Sequence, residues 1–218
     1  AKGEIKDPDY SSNKISWTRA VTNDLENGRV YNYEDAEIRE AAYRPFFKQH
    51  LLWYFPLVER RYRVPPLYPC RDAVNLCITI NAASKNELTP LITRALPDLH
   101  LNGDAQCFPL YWYEENKHQE ATLFGDATDE KYIRHDGITD WILKEFRSRF
   151  PGSRNLTKEH IFYYVYGILH SPDYRERFAA DLKKSLPRIP IVETVNEFMA
   201  FYQAGKELAD LLLNYEAV

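Results

Sequence analysis

Residues 157–190 read TKEHIFYYVYGILHSPDYRERFAADLKKSLPRIP, and this stretch decides the fold. Thr157 is a good N-cap. Behind it Ile161, Phe162, Tyr163, Tyr164, Val165, Tyr166, Ile168 and Leu169 leave almost no polar face. A helix that is apolar nearly all round is a buried one. The same aromatic and β-branched run also suits a buried strand. Its length, and the new start signal that follows, favour the helix. Ser171-Pro172-Asp173 supplies an N-cap, a proline at the first helical position and an acid in the first turn. A second helix is expected to run to about Leu186 and to stop before Pro187. Its charged residues face outward, while Tyr174, Phe178 and Leu182 recur at helical spacing. The pair forms a helical hairpin whose first helix is a core pillar. That helix is too apolar to lie in a DNA groove.

The remainder must pack around this pillar. The chain has 218 residues, 44% of them hydrophobic, enough for one large domain or two small ones. No apolar run reaches the roughly 18 residues of a membrane span, and the polar N-terminus carries no signal peptide. The first residue is Ala1, not Met, which points to a piece of a longer protein. Three cysteines, Cys70, Cys77 and Cys107, lack CxxC spacing. They read as reduced thiols of a cytoplasmic protein, not as a zinc site. The net charge of −4 argues against a nucleic-acid binder. Its distribution matters more: acid is concentrated in residues 101–140, and a basic excess lies in residues 40–100.

Residues 12–28 read as a helix, with Trp17, Val21 and Leu25 on one face and Asn27-Gly28 as its stop. A short strand is expected at 29–33, and a short helix from Glu34 to Ala42, ended by Pro45. Trp53 to Phe55 and Glu59 to Val64 suggest two strands, and residues 74–80 (VNLCITI) are the best strand of the chain. Further short strands follow in residues 88–115, limited by Pro90, Pro97 and Pro109. Residues 114–136 read as a long acidic loop. A helix is expected from Asp136 to Phe150 with Ile138, Trp141, Ile142 and Phe146 inward, and a long amphipathic helix from Val192 to Tyr215. The expected class is α+β: a mostly-β mixed-sheet region with short helices, residues 1–136, then a helical bundle, residues 137–218.

Motifs of catalysis are largely missing. There is no GxxxxGKS/T, GxGxxG, GxSxG or HExxH, and six scattered histidines show no ligand spacing. Val64-Pro65-Pro66-Leu67-Tyr68 fails as an aminomethyltransferase (D/N)PPY loop. Val stands where an amide or acid must bond the target amine, and Leu precedes the stacking aromatic. Pro97-Asp98 with Glu115-Asn116-Lys117 formally matches the PD…(D/E)xK pattern of Mg²⁺ nucleases, in which two carboxylates hold the metal. The plain alternative is a strand end and the start of an acidic loop.

Between Arg44 and Arg71 six basic residues, Arg44, Lys48, Arg60, Arg61, Arg63 and Arg71, face the single acid Glu59, with aromatics between them. Such residues neutralise phosphates, and arginine also reads guanine bidentately. The alternative is an edge hairpin with a solvated basic face. Ser84, Lys85 and Asn86, in a polar loop, and Arg94 form a second candidate set.

Several stretches together resemble a known family: Tyr43-Arg44-Pro45-Phe46, Asn75-Leu76-Cys77-Ile78, residues 96–115 (LPDLHLNGDAQCFPLYWYEE) and residues 162–190. The combination resembles the C-terminal target-recognition (specificity) domain of single-polypeptide type ISP restriction–modification enzymes, from about Trp17 to Tyr215. The resemblance implies a non-catalytic domain that reads asymmetric duplex DNA, in the cytoplasm, in defence against foreign DNA. It implies upstream nuclease, ATP-driven helicase-like translocase and adenine methyltransferase domains as partners. S-adenosylmethionine, ATP and Mg²⁺ would belong to that parent, with no cofactor and no membrane contact for this piece. The DNA-contacting candidates are Arg44, Lys48, Arg60, Arg61, Arg63, Ser84, Lys85, Asn86 and Arg94. Two other readings remain: a Mg²⁺ nuclease using Asp98, Glu115 and Lys117, and a docking module presenting the helices from residue 138 onward.

Overall fold

The computed structural model describes residues 9, 11, 14, 17–31, 36–58, 61–81, 87–116 and 131–217. Helix α3 (Lys158–His170) is the pillar. Thr157 caps it, its hydroxyl accepting from the His160 amide while His160 Nδ1 accepts from the Thr157 amide. Eight of its residues are buried. Helix α6 (Val195–Leu213) packs along it, started by a second capping box between Thr194 and Glu197. The two backbones meet at Gly167 and Gly205, where a side chain on either glycine would strike the backbone of the other helix. Tyr164 and Tyr166 of α3 and Phe198 of α6 are wholly enclosed. The Tyr164 and Phe198 rings stack at 4.8 Å. Two of the buried tyrosines find hydroxyl partners where the chain returns: Tyr164 Oη donates to Pro190 O at 2.6 Å, and Tyr174 Oη to Arg188 O at 3.0 Å.

The second half of the helical hairpin is broken. Ser171 caps α4 (Pro172–Arg177), as its spacing predicts, but the helix stops at Phe178. A short α5 (Ala179–Leu182) follows, and no helix reaches Leu186. Helix α2 (Asp140–Arg149), capped by Thr139, buries Phe146. Trp141, expected inward, is 65% exposed because it starts the helix on the face away from Phe146. Helix α1 (Arg19–Glu26), capped by Thr18, buries Val21 and is shorter than the expected 12–28. No strand forms over residues 29–31. Among the described residues no helix is long and apolar enough to cross a membrane.

Among the described residues the strands form three small sheets. Strand β1 (Glu37–Arg44) pairs antiparallel with β2 (Phe47–Trp53) and parallel with β5 (Leu96–Pro97). This overturns the expected helix at 34–42. Glu, Arg and Ala favour a helix, but a central strand with small Ala41 and Ala42 under two neighbours overrides that weak preference. Its buried Arg39 bonds Glu37 at 2.6 Å and Tyr68 O at 2.8 Å. Strand β3 (Cys77–Ile80) sits between β4 (Leu91–Thr93) and β6 (Gln106–Pro109). It is buried at every residue. Ile78 and Ile80 join the main core with α2, α3 and α6, whereas Cys77 joins a smaller core of Ala41, Trp53, Leu67, Tyr68 and Leu96. A run that is apolar or β-branched at nearly every position suits a strand covered on both faces, and here only Thr79 brings a polar group inside. Strand β7 (Tyr111–Glu115) pairs with β8 (Tyr132–Asp136). The acidic stretch at 114–136 is therefore flanked by strand residues at both ends. The whole is α+β.

Candidate nucleic-acid interface

After Trp53 the chain forms no regular structure until Cys77 in the described residues. Pro56, Pro65, Pro66 and Pro69 remove the amide donors a strand ladder needs. The expected strand at 59–64 is absent over 61–64, which form a turn, and Tyr54 and Phe55 lie beyond the end of β2. This segment is nevertheless held firmly at its base. Val58 and Val64 pack on the smaller core. Tyr68 and Leu67 amides donate to Val64 O at 3.1 and 2.9 Å. Asn75 Nδ2 donates to Leu67 O and to Tyr111 O at 2.9 and 2.7 Å.

The tip is the turn Arg61-Tyr62-Arg63-Val64, closed by the Val64 amide donating to Arg61 O at 3.1 Å. Tyr62 has φ 46°, in the left-handed region. A bulky residue is rare there and the conformation costs about 1–2 kcal/mol. Its side chain is 66% exposed. Arg61 lies over the Phe55 ring at 5.4 Å. Both arginines are exposed, and neither has a carboxylate partner among the described residues. Exposed guanidiniums without carboxylates are free to meet phosphate.

Arg44, Lys48 and Arg94 are brought to a second place, a cleft of about 470 Å³ between the β1–β2 turn, β4 and the end of α6. The turn is Pro45-Phe46, with Phe46 at φ 58° in the position where a type II turn ordinarily takes glycine. Arg44 covers the Tyr43 ring at 4.0 Å and bonds Asp98 at 3.1 Å. Lys48 bonds Glu216 at 3.1 Å and Glu40 at 3.4 Å. Its hydrogen bond with Glu216, more than Glu40, holds its ammonium above the usual lysine range. Arg94 is exposed without an ion pair among the described residues. Two of the three cations in this cleft are thus already committed to internal acids.

Arg60, Ser84, Lys85 and Asn86 lie outside the described residues. So does Lys117, the third member of the nuclease pattern. Asp98 is held by Arg44 beside β5, while Glu115 is on β7, in another sheet. Among the described residues no three His, Cys, Asp or Glu side chains gather where a metal could sit. The sequence reading missed Tyr62 and Phe46. The signal for Tyr62 was its place between arginines; that for Phe46 was its place after Pro45.

The family model for the Type ISP C-terminal specificity domain matches residues 2–218. The chain belongs to this family. Among solved structures the specificity domain is similar to part of the DrdV–DNA complex, determined by cryo-electron microscopy. They share 30% identity over 95% of this chain, with a TM-score of 0.77. It is also similar to the ATP-dependent Type ISP restriction–modification enzyme LlaBIII bound to DNA, at 30% identity over 93% of this chain and a TM-score of 0.73. A nuclease-deletion mutant of the Type ISP enzyme LlaGI, in complex with a DNA substrate mimic, matches at 31% identity over 93% of this chain, with a TM-score of 0.68. The specificity domain spans 19%, 12% and 14% of the length of those three chains. No curated sequence matches it significantly.

Proposed function

We propose that this specificity domain reads a sequence in duplex DNA as the target-recognition part of a restriction–modification polypeptide. The observation that carries the reading is the Arg61–Val64 turn, two exposed arginines without a carboxylate partner among the described residues, at the tip of a firmly based segment. Phosphate contacts orient a protein on the duplex, and contacts with base edges specify the sequence. Arginine can do both. The three similar structures are all complexes with DNA or a DNA mimic, which supports the same reading. The acidic total does not oppose it, since Arg61 and Arg63 are exposed and have no carboxylate partner among the described residues.

The domain works without catalysis of its own, in the cytoplasm. Methyltransferase and helicase-like parts of the polypeptide are its partners, and S-adenosylmethionine, ATP and Mg²⁺ are used there. Arg44, Lys48, Arg60, Ser84, Lys85, Asn86 and Arg94 belong to the same proposal as further contacts. For Arg44 and Lys48, contact requires exchange of Asp98 and Glu216 for phosphate.

The test is binding of the chain to duplexes enriched from a random library. A preferred sequence is expected. The Arg61→Ala/Arg63→Ala variant should bind more weakly, with a salt dependence flatter by about two in slope. Enrichment of no sequence would overturn the assignment to recognition. An unchanged salt slope would remove the two arginines from it.

A further inference from the structure

We propose that Tyr62 is a wedge: its ring enters the duplex at one base step while Arg61 and Arg63 hold phosphates on either side. This rests on the DNA-reading assignment above and goes beyond it in naming a residue and a deformation of the ligand.

The argument starts from the turn. Its first inner position holds Tyr62 in a left-handed conformation that glycine adopts without cost. The strain is maintained by a closed hydrogen bond and by Val58 and Val64, which seat the base of the segment on the smaller core. A strained residue fixed by its surroundings has a defined direction. The ring so placed has no aromatic, cationic or hydrogen-bond partner among the described residues, and it is 66% exposed. Phe55, the exposed aromatic beneath Arg61, is by contrast engaged: it also meets Trp53 edge to face at 5.5 Å. Tyr62 therefore presents free aromatic faces to solvent, and its immediate neighbours in the chain are both cations.

Those neighbours choose the ligand. An apolar protein partner would have to desolvate two guanidiniums, whereas a duplex supplies anions at the spacing of its backbone and stacked rings between them. Apolar side chains inserted at a step unstack it and bend the duplex, and stacking on a base face compensates part of that cost. A tip ordered before binding loses little freedom on insertion.

The experiment uses the complete chain and the duplex that it enriches from a random library. 2-Aminopurine replaces each purine in turn, and its fluorescence rises where stacking is lost. One step is expected to brighten on binding. Tyr62→Ala and Tyr62→Gly should abolish that signal and weaken binding by roughly 5- to 150-fold, leaving the salt slope in place. Tyr62→Phe should retain both. Tyr62→Gly also relieves the left-handed strain, so its thermal midpoint should be no lower than that of the parent. A merely structural role for Tyr62 would leave the glycine variant binding as well as the parent, and that result overturns the proposal. If a sequence is enriched and no step brightens, the wedge alone is wrong. If no sequence is enriched, the DNA-reading assignment fails and the wedge fails with it.

Discussion

Replacing Gly205 by alanine sets two physical effects against each other. In a helix interior alanine is favoured over glycine by about 1 kcal/mol, so propensity alone predicts a more stable α6. The packing predicts the reverse. A Cβ at Gly205 would lie far inside contact distance of the Tyr163 carbonyl oxygen, and 2.7 Å from the Gly167 amide nitrogen. Both obstacles are backbone, so no side-chain rotation relieves them. To reach ordinary contact at 3.4 Å, α3 and α6 must move apart. That separation loosens the packing of Tyr164, Tyr166, Phe198 and Ala209, all wholly enclosed. Overpacking of a well-filled interior costs about 1–3 kcal/mol and sometimes more, and an obstacle made of backbone belongs at the upper end. Less the propensity gain, the net loss is about 2 kcal/mol or more. For a chain of this size that lowers the thermal midpoint by about 4–8 °C. Far-ultraviolet circular dichroism during heating, with urea unfolding as a second measure, reads the change. Gly167→Ala should behave alike, and the double variant should lose less than the summed singles because both report one contact. A Gly205→Ala chain as stable as the parent, or more so, would refute the close approach of the two helices.

Two further outcomes follow from buried groups. His170 is pushed down to about 4, mainly by burial, then by the charge of Arg175, against a hydrogen bond to the Pro90 backbone. The unfolded chain binds the proton more readily, so stability is complete above about 6.5 and falls as pH drops towards 4. The His170→Gln chain should show a shallower loss of urea midpoint across that window, and an identical loss would exclude the assignment. Burial raises the Cys77 thiol to about 12 and the Cys107 thiol to about 11. Iodoacetamide should therefore modify both far more slowly in the native chain than in urea. Native rates equal to the unfolded ones would contradict their burial.

The helical half was legible because its signals are local. Thr157 and Ser171 each cap the helix that follows, and the apolar run behind Thr157 has no face for water. The unbroken run at Cys77–Ile80 likewise revealed a strand covered on both sides. What failed depends on distant partners. Glu37–Arg44 carries helix-forming residues, but β2 and β5 claim its backbone. The arginine-rich 61–64 segment carries strand-like residues, yet the chain turns there around prolines and a left-handed Tyr62. The basic character of residues 44–71 was visible. The committed state of Lys48 was not, since Glu216 lies 168 positions away. Nothing in composition distinguishes a lysine held by a carboxylate from one left to solvent.

The separation of the tip from the main core bears on how the proposed reading surface could change its target over generations. Arg61, Tyr62 and Arg63 are exposed and contribute nothing to the main core, which is filled by β3 and the helices. Exposed substitutions such as those of Arg61 and Arg63 usually alter stability by no more than about 0.5 kcal/mol, and at Tyr62 a glycine relieves the left-handed strain. The tip can therefore be rewritten almost independently of the scaffold, with Val58 and Val64 left to hold its base. A lineage could drift from one DNA sequence to another without passing through an unfolded ancestor.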